Sequence, residues 1–160
     1  MIELLKTDIG QFNQWRLENI HQRLEWAKAK LTELDLSNAY LVNINFHKAD
    51  FRGSRLRKTF FCNSNLEHAI FLNCDLTNAS FGYATSIDEE IIQKAMPHFD
   101  NGAYLESADF SNANLTDASF QQTFLRSAIF TGAQLLKTDF RHSDYNEAIF
   151  IGADTSKAIF

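Results

Sequence analysis

The chain has 160 residues, 45% apolar and 22% charged, with a net charge of −5, the proportions of one folded globular domain rather than of a disordered chain. Its mildly acidic balance lacks the basic field through which nucleic acid or an anionic membrane is bound. No apolar run approaches the roughly 18 residues of a spanning helix.

The N-terminus "MIELLKTDIG" carries acids and no small-residue cleavage site, and the chain is expected to stay unsecreted, in the cytoplasm. Ile9, Phe12 and Trp15, then Ile20, Leu24, Ala27 and Leu31, recur at helical spacing. Residues 1–30 are therefore expected as one or two helices that run into the next element and cap it.

From Leu31 the pattern changes. Every fifth residue is Leu or Phe: Leu31, Leu36, Leu41, Phe46, Phe51, Leu56, Phe61, Leu66, Phe71, Leu76 and Phe81. Two places before each of these centres the residue is nearly always small, as at Ala39, Ala49, Ser54 and Ala69, with Ile44 the main exception. The place just before the centre is often Asp or Asn, as at Asp35, Asn45, Asp50 and Asn65. Residues 31–81 form this first block.

Residues 82–102, "GYATSIDEEIIQKAMPHFDNG", break the register. Ser86 with Glu89 reads as a capping box, Asp88, Glu89 and Glu90 suit the positive end of a helix, and Pro97 stops it. A short helical insertion that leaves and re-enters at one corner is expected, with "DNG" as the return turn.

The second block, residues 103–160, keeps the step of five: Leu105, Phe110, Leu115, Phe120, Leu125, Phe130, Leu135, Phe140, Tyr145 and Phe150, a lapse at Thr155, then Phe160. One small and one large inward residue in every five fit neither a helix nor a strand, so the chain must turn a corner in each unit. Four corners close a coil of twenty residues. Residues twenty apart then stack at the strand spacing of about 4.8 Å. Phe and Leu centres alternate from Phe61 onward, so two facing columns are expected to be phenylalanine: Phe51, Phe71, Phe110, Phe130 and Phe150 in one, and Phe61, Phe81, Phe120, Phe140 and Phe160 in the other. Their rings should lie offset and nearly parallel. The two columns take up ten of the fifteen phenylalanines.

The units "ADFSN", "ANLTD" and "ASFQQ" resemble those of the pentapeptide-repeat family, A(D/N)LXX in pattern. The resemblance covers residues 31–81 and 103–160. It implies a β solenoid, a right-handed quadrilateral β-helix of pentapeptide repeats, here with an N-terminal α-helical cap and one helical insertion. "FNQWRLEN" also resembles the helical lead-in of some bacterial, notably cyanobacterial, members.

Candidate sites are few. His21, His47, His68, His98 and His142 show no metal-ligand spacing, and no phosphate loop or nucleophile motif is present, so no catalytic residue, metal or cofactor is expected. Cys74 falls in a small inward slot and Cys62 in an outward one, on different faces, which argues against a disulfide. Lys48, Arg52, Arg55, Arg57 and Lys58 make a basic patch around one coil. Ile70, Ile129 and Ile149 stand where Asp or Asn is usual, and with Leu72 and Ile151 they suggest an apolar stripe down one outer face, either covered or offered to a partner. Phe140, Tyr145, Phe150, Ile159 and Phe160 would line the last coil and suggest self-association as a homodimer.

These residues point to a non-catalytic rod of about six coils that binds another protein, not nucleic acid or membrane, through an outer face. The family resemblance implies an alternative, a DNA-mimicking inhibitor or protector of a type II topoisomerase, DNA gyrase. The second block, with seven acids against four bases, is the acidic half.

Overall fold

A computed structural model describes residues 1–82 and 102–160. Two short helices open the chain: α1 (Ile2–Thr7) and α2 (Ile9–Glu18). Asp8 separates them. Its extended backbone, φ −150°, ends α1, and its carboxylate accepts the Gln11 N–H at 2.9 Å to cap α2. Leu5 of α1 and Phe12 and Arg16 of α2 are fully buried. Leu5 and Phe12 join the same apolar core as the repeat centres.

Helix α2 stops at Glu18, and the coil starts sooner than the helical spacing of Ile20, Leu24, Ala27 and Leu31 suggests. Leu24 lies in β1 (Leu24–Glu25), which pairs in parallel with β2 (Ile44–Asn45), Leu24 opposite Ile44. Trp26, five residues before Leu31, takes a centre slot, its ring 5.7 Å from that of Phe46. The N–H groups of Trp26 and Lys28 donate to the carbonyls of Asn45 and His47, both at 2.8 Å. Two oversized residues in small slots, Leu24 and Ile44, are thus paired with each other.

The chain then repeats one motif. Bridges join residues twenty apart on four successive faces, among them Lys30↔Asp50, Asp35↔Arg55, Tyr40↔Phe60 and Asn45↔Asn65. Each centre N–H donates to the coil above, as Leu31 to the Asp50 carbonyl at 2.8 Å, while the residue before it donates to the coil below, as Asp50 to the Ala29 carbonyl at 2.9 Å. The corner is closed by the small residue, whose N–H returns to the preceding centre, as Ala49 to Phe46 at 2.8 Å. Two residues past most centres the backbone takes a positive φ, 63° at Asn38 and 57° at Asn73, a left-handed conformation that Asn and Gly adopt at least cost. The result is a β-helical solenoid.

The preference for Asp or Asn before the centre has a local cause. Its Oδ1 accepts the N–H two residues on, at 3.1 Å from Arg52 to Asp50, 3.0 Å from Glu67 to Asn65 and 2.9 Å from Ser111 to Asp109. The side chain thereby stabilises each corner. Several small slots filled by a hydroxyl bind the coil below. Ser54 donates to the Leu31 carbonyl at 2.6 Å, Thr59 to Leu36 at 2.9 Å and Thr138 to Leu115 at 2.8 Å. A buried hydroxyl is satisfied this way.

Both phenylalanine columns form as expected. Rings one coil apart stack with centroids from 4.6 Å (Phe81 and Phe120) to 5.2 Å (Phe120 and Phe140), and planes within 11° of parallel. Across the core the columns meet edge to face, as Phe110 and Phe120 do at 5.3 Å and 88°. Around them the small slots of the middle coils are tight: Ala118 is 1% and Ala128 0% exposed. Ala128→Leu is expected to cost about 1 to 3 kcal/mol through overpacking. A urea midpoint equal to that of the native chain would contradict the inward placement.

After the insertion the coil resumes in register. Asn65 bridges Tyr104 and Ile70 bridges Asp109, and the Leu66 N–H donates to the Tyr104 carbonyl at 2.7 Å. Leu105 therefore returns on the face of Leu66, and the columns continue unbroken. Both ports need glycine. A Cβ on Gly82 would stand 1.7 Å from the Gln121 carbonyl oxygen, and one on Gly102 would stand 2.6 Å from that of Gln122. The helix expected over Ser86 to Pro97 lies outside the described residues.

Candidate functional site

Every inward position is filled by the core, so any site on this rod must use the three outward places of each unit. The bridges assign those places to faces.

The five residues of the basic patch belong to one coil but do not share a face. Lys48 stands at the corner after Phe46, Arg52 beside Phe51, and Arg55, Arg57 and Lys58 around Leu56. The three arginines are paired: Arg52 with Asp50 at 2.5 Å, Arg55 with Asp35 at 3.1 Å and Arg57 with Asp75 at 2.5 Å. The Arg52 side chain holds the Asp50 carboxyl below the usual carboxylate range, and that of Arg141 does the same for Asp139. Much of the patch's charge is thus neutralised in place.

Asp35 and Asp154 are lowered as well, chiefly by the side-chain and backbone hydrogen bonds of Ser37 and Ser156. These depressed folded values carry a stability that is present above the unfolded Asp value of about 3.9 and is lost as pH falls through the folded values. Thermal melts from about pH 6 to pH 3 should show a falling midpoint. Asp139→Asn keeps an acceptor for the Arg141 N–H and should flatten part of that fall. An unchanged acid profile in Asp139→Asn would contradict this role.

The apolar stripe is interrupted. Down the column before the centres the order is Asp50, Ile70, Asp109, Ile129 and Ile149. Beside it, Ser111 and Thr131 separate Leu72 from Ile151. Polar residues divide the row because it is read along the rod, whereas the sequence lists it every twenty residues or so. What remains is half-buried Ile70 and Leu72 below, and Ile129 with Ile149 and Ile151 above, the last two 40% and 72% exposed. Around the next corner, Leu136 is 42% exposed and borders a cleft of about 390 Å³ with Gly132, Gly152, Asp154 and Lys157. Of the last-coil residues, Phe140 is buried and Phe150 half-buried, while Tyr145, Ile159 and Phe160 are exposed.

Leu136, Tyr104 and Phe124 escaped the reading of the sequence. The two aromatics stand in the slot before the centre, where listing that slot as a column would have found them. Among the described residues no three His, Cys, Asp or Glu side chains are grouped as metal ligands, and no helix is long and apolar enough to cross a membrane. Cys62, placed outward by its slot, is buried instead, under Ile20 and beside Val42, because the N-terminal segment folds over that face. Both cysteines are free, and burial pushes the Cys62 thiol up to about 11 and that of Cys74 up to about 12. Neither is a nucleophile in the folded chain.

A family model described as pentapeptide repeats matches in eight copies, over residues 29–67, 44–82, 101–132 and 108–144. The comparison with curated proteins returned no match. Among solved structures, a trypsin-treated variant of QnrB1, a plasmid-mediated fluoroquinolone resistance protein, is 20% identical, covering 86% of this chain and 70% of its own, with a TM-score of 0.48. A pentapeptide repeat protein of the Arabidopsis thaliana thylakoid lumen is 27% identical over 78% of this chain and 63% of its own, with a TM-score of 0.33. The pentapeptide repeat protein Rfr23 of the cyanobacterium Cyanothece 51142 is 19% identical over 92% and 97%, with a TM-score of 0.37.

Proposed function

Because the chain belongs to the pentapeptide-repeat family, we propose that it is a right-handed quadrilateral β-helix, capped at its first coil by α1 and α2, that serves as a non-catalytic rigid scaffold. It binds another protein through the outer face of its last two coils. One observation carries this reading: among the described residues, the large apolar side chains left exposed, Met1 apart, all lie beyond Gly102, while the arginines Arg52, Arg55 and Arg57 of the first block are held in Asp–Arg pairs. Exposed apolar groups in a row on a rigid surface are what a partner buries. The test is affinity capture from the native host with the wild type and an Ile149→Asp, Ile151→Asp double variant. A partner lost with the double variant supports the reading, and capture unaffected by it refutes the assignment to this face.

A two-fold contact through Tyr145, Phe150, Ile159 and Phe160 is part of the same proposal, supported by their exposure. The acid excess of the second block, seven against four, favours a second reading, a DNA-mimicking effector of DNA gyrase. Full supercoiling activity of gyrase in excess protein would remove it.

A further inference from the structure

Four outward aromatics stand in the slot before a centre, and they form two ladders of the same order, a tyrosine with a phenylalanine one coil above: Tyr40 with Phe60, and Tyr104 with Phe124. The first ladder is roofed. Leu17 of α2 and Ile20 just beyond it pack with Tyr40, Phe60, Val42 and Cys62. Asn13 of α2 fixes the register, its Oδ1 accepting the Tyr40 N–H at 2.9 Å and its Nδ2 donating to the Asn38 carbonyl at 2.8 Å. This chain therefore seats the end of helix α2 on a Tyr–Phe ladder.

The second ladder lies one corner further round, and among the described residues it carries no such roof. Its rings are parallel, 5.0 Å apart at 7°, and each residue is 37% exposed. The neighbouring slots differ in kind. Where Val42 and Cys62 flank the first ladder, Glu106 and Arg126 flank the second, with Asp144 above Phe124 and Glu67 below Glu106. Acids outnumber bases around the two rings.

We propose that Tyr104 and Phe124 form a docking platform for an amphipathic helix of a partner protein, with an aliphatic stripe laid over the two rings and Lys or Arg on the flank that meets Glu106 and Asp144. Rigid aromatic pairs are the usual anchors of such contacts, and the acid rim selects the basic helix by charge. The site is separate from the isoleucine face and stands without it.

Two labelled helical peptides of about fourteen residues, sharing one leucine stripe and flanked by Lys in one and by Glu in the other, are titrated with the full chain by fluorescence anisotropy. The Lys-flanked peptide should saturate at one per chain and the Glu-flanked peptide should bind about tenfold more weakly. A Tyr104→Ser, Phe124→Ser double variant should weaken the Lys-flanked peptide about tenfold or more, whereas Ile149→Ser, Ile151→Ser should leave it unchanged. Should the ring variant unfold, Glu106→Gln, Asp144→Asn serves in its place and should abolish the preference for Lys. Equal affinity for the two peptides, binding unchanged by the ring and rim variants, or loss only in the isoleucine variant would overturn the proposal. So would a change in the sedimentation of the chain alone on Tyr104→Ser, Phe124→Ser, which would make the occupant a second copy.

Discussion

Phe110→Ala should be the most damaging single truncation in the coil, lowering stability by about 3 to 5 kcal/mol. The ring stacks on Phe71 at 4.9 Å and on Phe130 at 5.0 Å, and its edge meets Phe81 at 5.6 Å and Phe120 at 5.3 Å. Each neighbour is held at its own height by the hydrogen bonds of its coil, so the stack cannot slide shut and the cavity persists. In a chain of this size each kcal/mol moves the melting midpoint by about 2 to 4 °C. Phe124→Ala, which removes an equal volume from the outer surface, should cost far less. A comparison of the two by urea denaturation checks the claim, and equal losses would contradict the inward and outward assignments.

Arg16→Ala should cost on the order of 3 kcal/mol and should do so at one end of the molecule. The Arg16 side chain is fully buried without a carboxylate partner among the described residues, and burial pushes its guanidinium down to about 10. It donates instead to main-chain carbonyls: to Val42 at 2.8 and 3.3 Å, to Ile20 at 2.9 Å, and to Asn19. One planar fork thus ties the end of α2 to the first full coil. Its removal strips the Val42 carbonyl of both Arg16 hydrogen bonds and unroofs Val42 and Cys62. Arg16→Lys should recover less than half of the loss, because one ammonium cannot span the same carbonyls. Thiol labelling gives the local readout: in Arg16→Ala, Cys62 should react with a disulfide reagent while Cys74 stays protected. Protection of both cysteines would show that α2 is held by something other than Arg16.

Much of this arrangement is legible in the period of five. The step of five residues dictates the corner, four corners the coil, and the alternation of Phe and Leu the paired aromatic columns. The return of Leu105 above Leu66 is the register implied by an insertion that leaves and re-enters at one corner. Four features are not legible there, each for a physical reason. Leu24 and Leu31 satisfy helical spacing and slot spacing alike, so the start of the coil at Leu24 is decided by pairing with Ile44, a contact distant in sequence. The interruption of the isoleucine stripe is set by neighbours about twenty residues away rather than by adjacent ones. Arg16 in a helix reads as a surface charge, and only the exposed carbonyls of the first coil explain its burial. The Tyr104–Phe124 ladder was hidden because aromatic residues in this chain otherwise mean core.

The central claim is that the partner meets the rod at the outer face of its last coils. A photo-crosslinking residue placed at Ile151, and for comparison at Asp117 after the neighbouring Leu115 centre, tests it in cells of the native host. The account predicts one discrete protein adduct from position 151 and none of the same mass from position 117. No adduct at 151, or the same adducts from both positions, would contradict it.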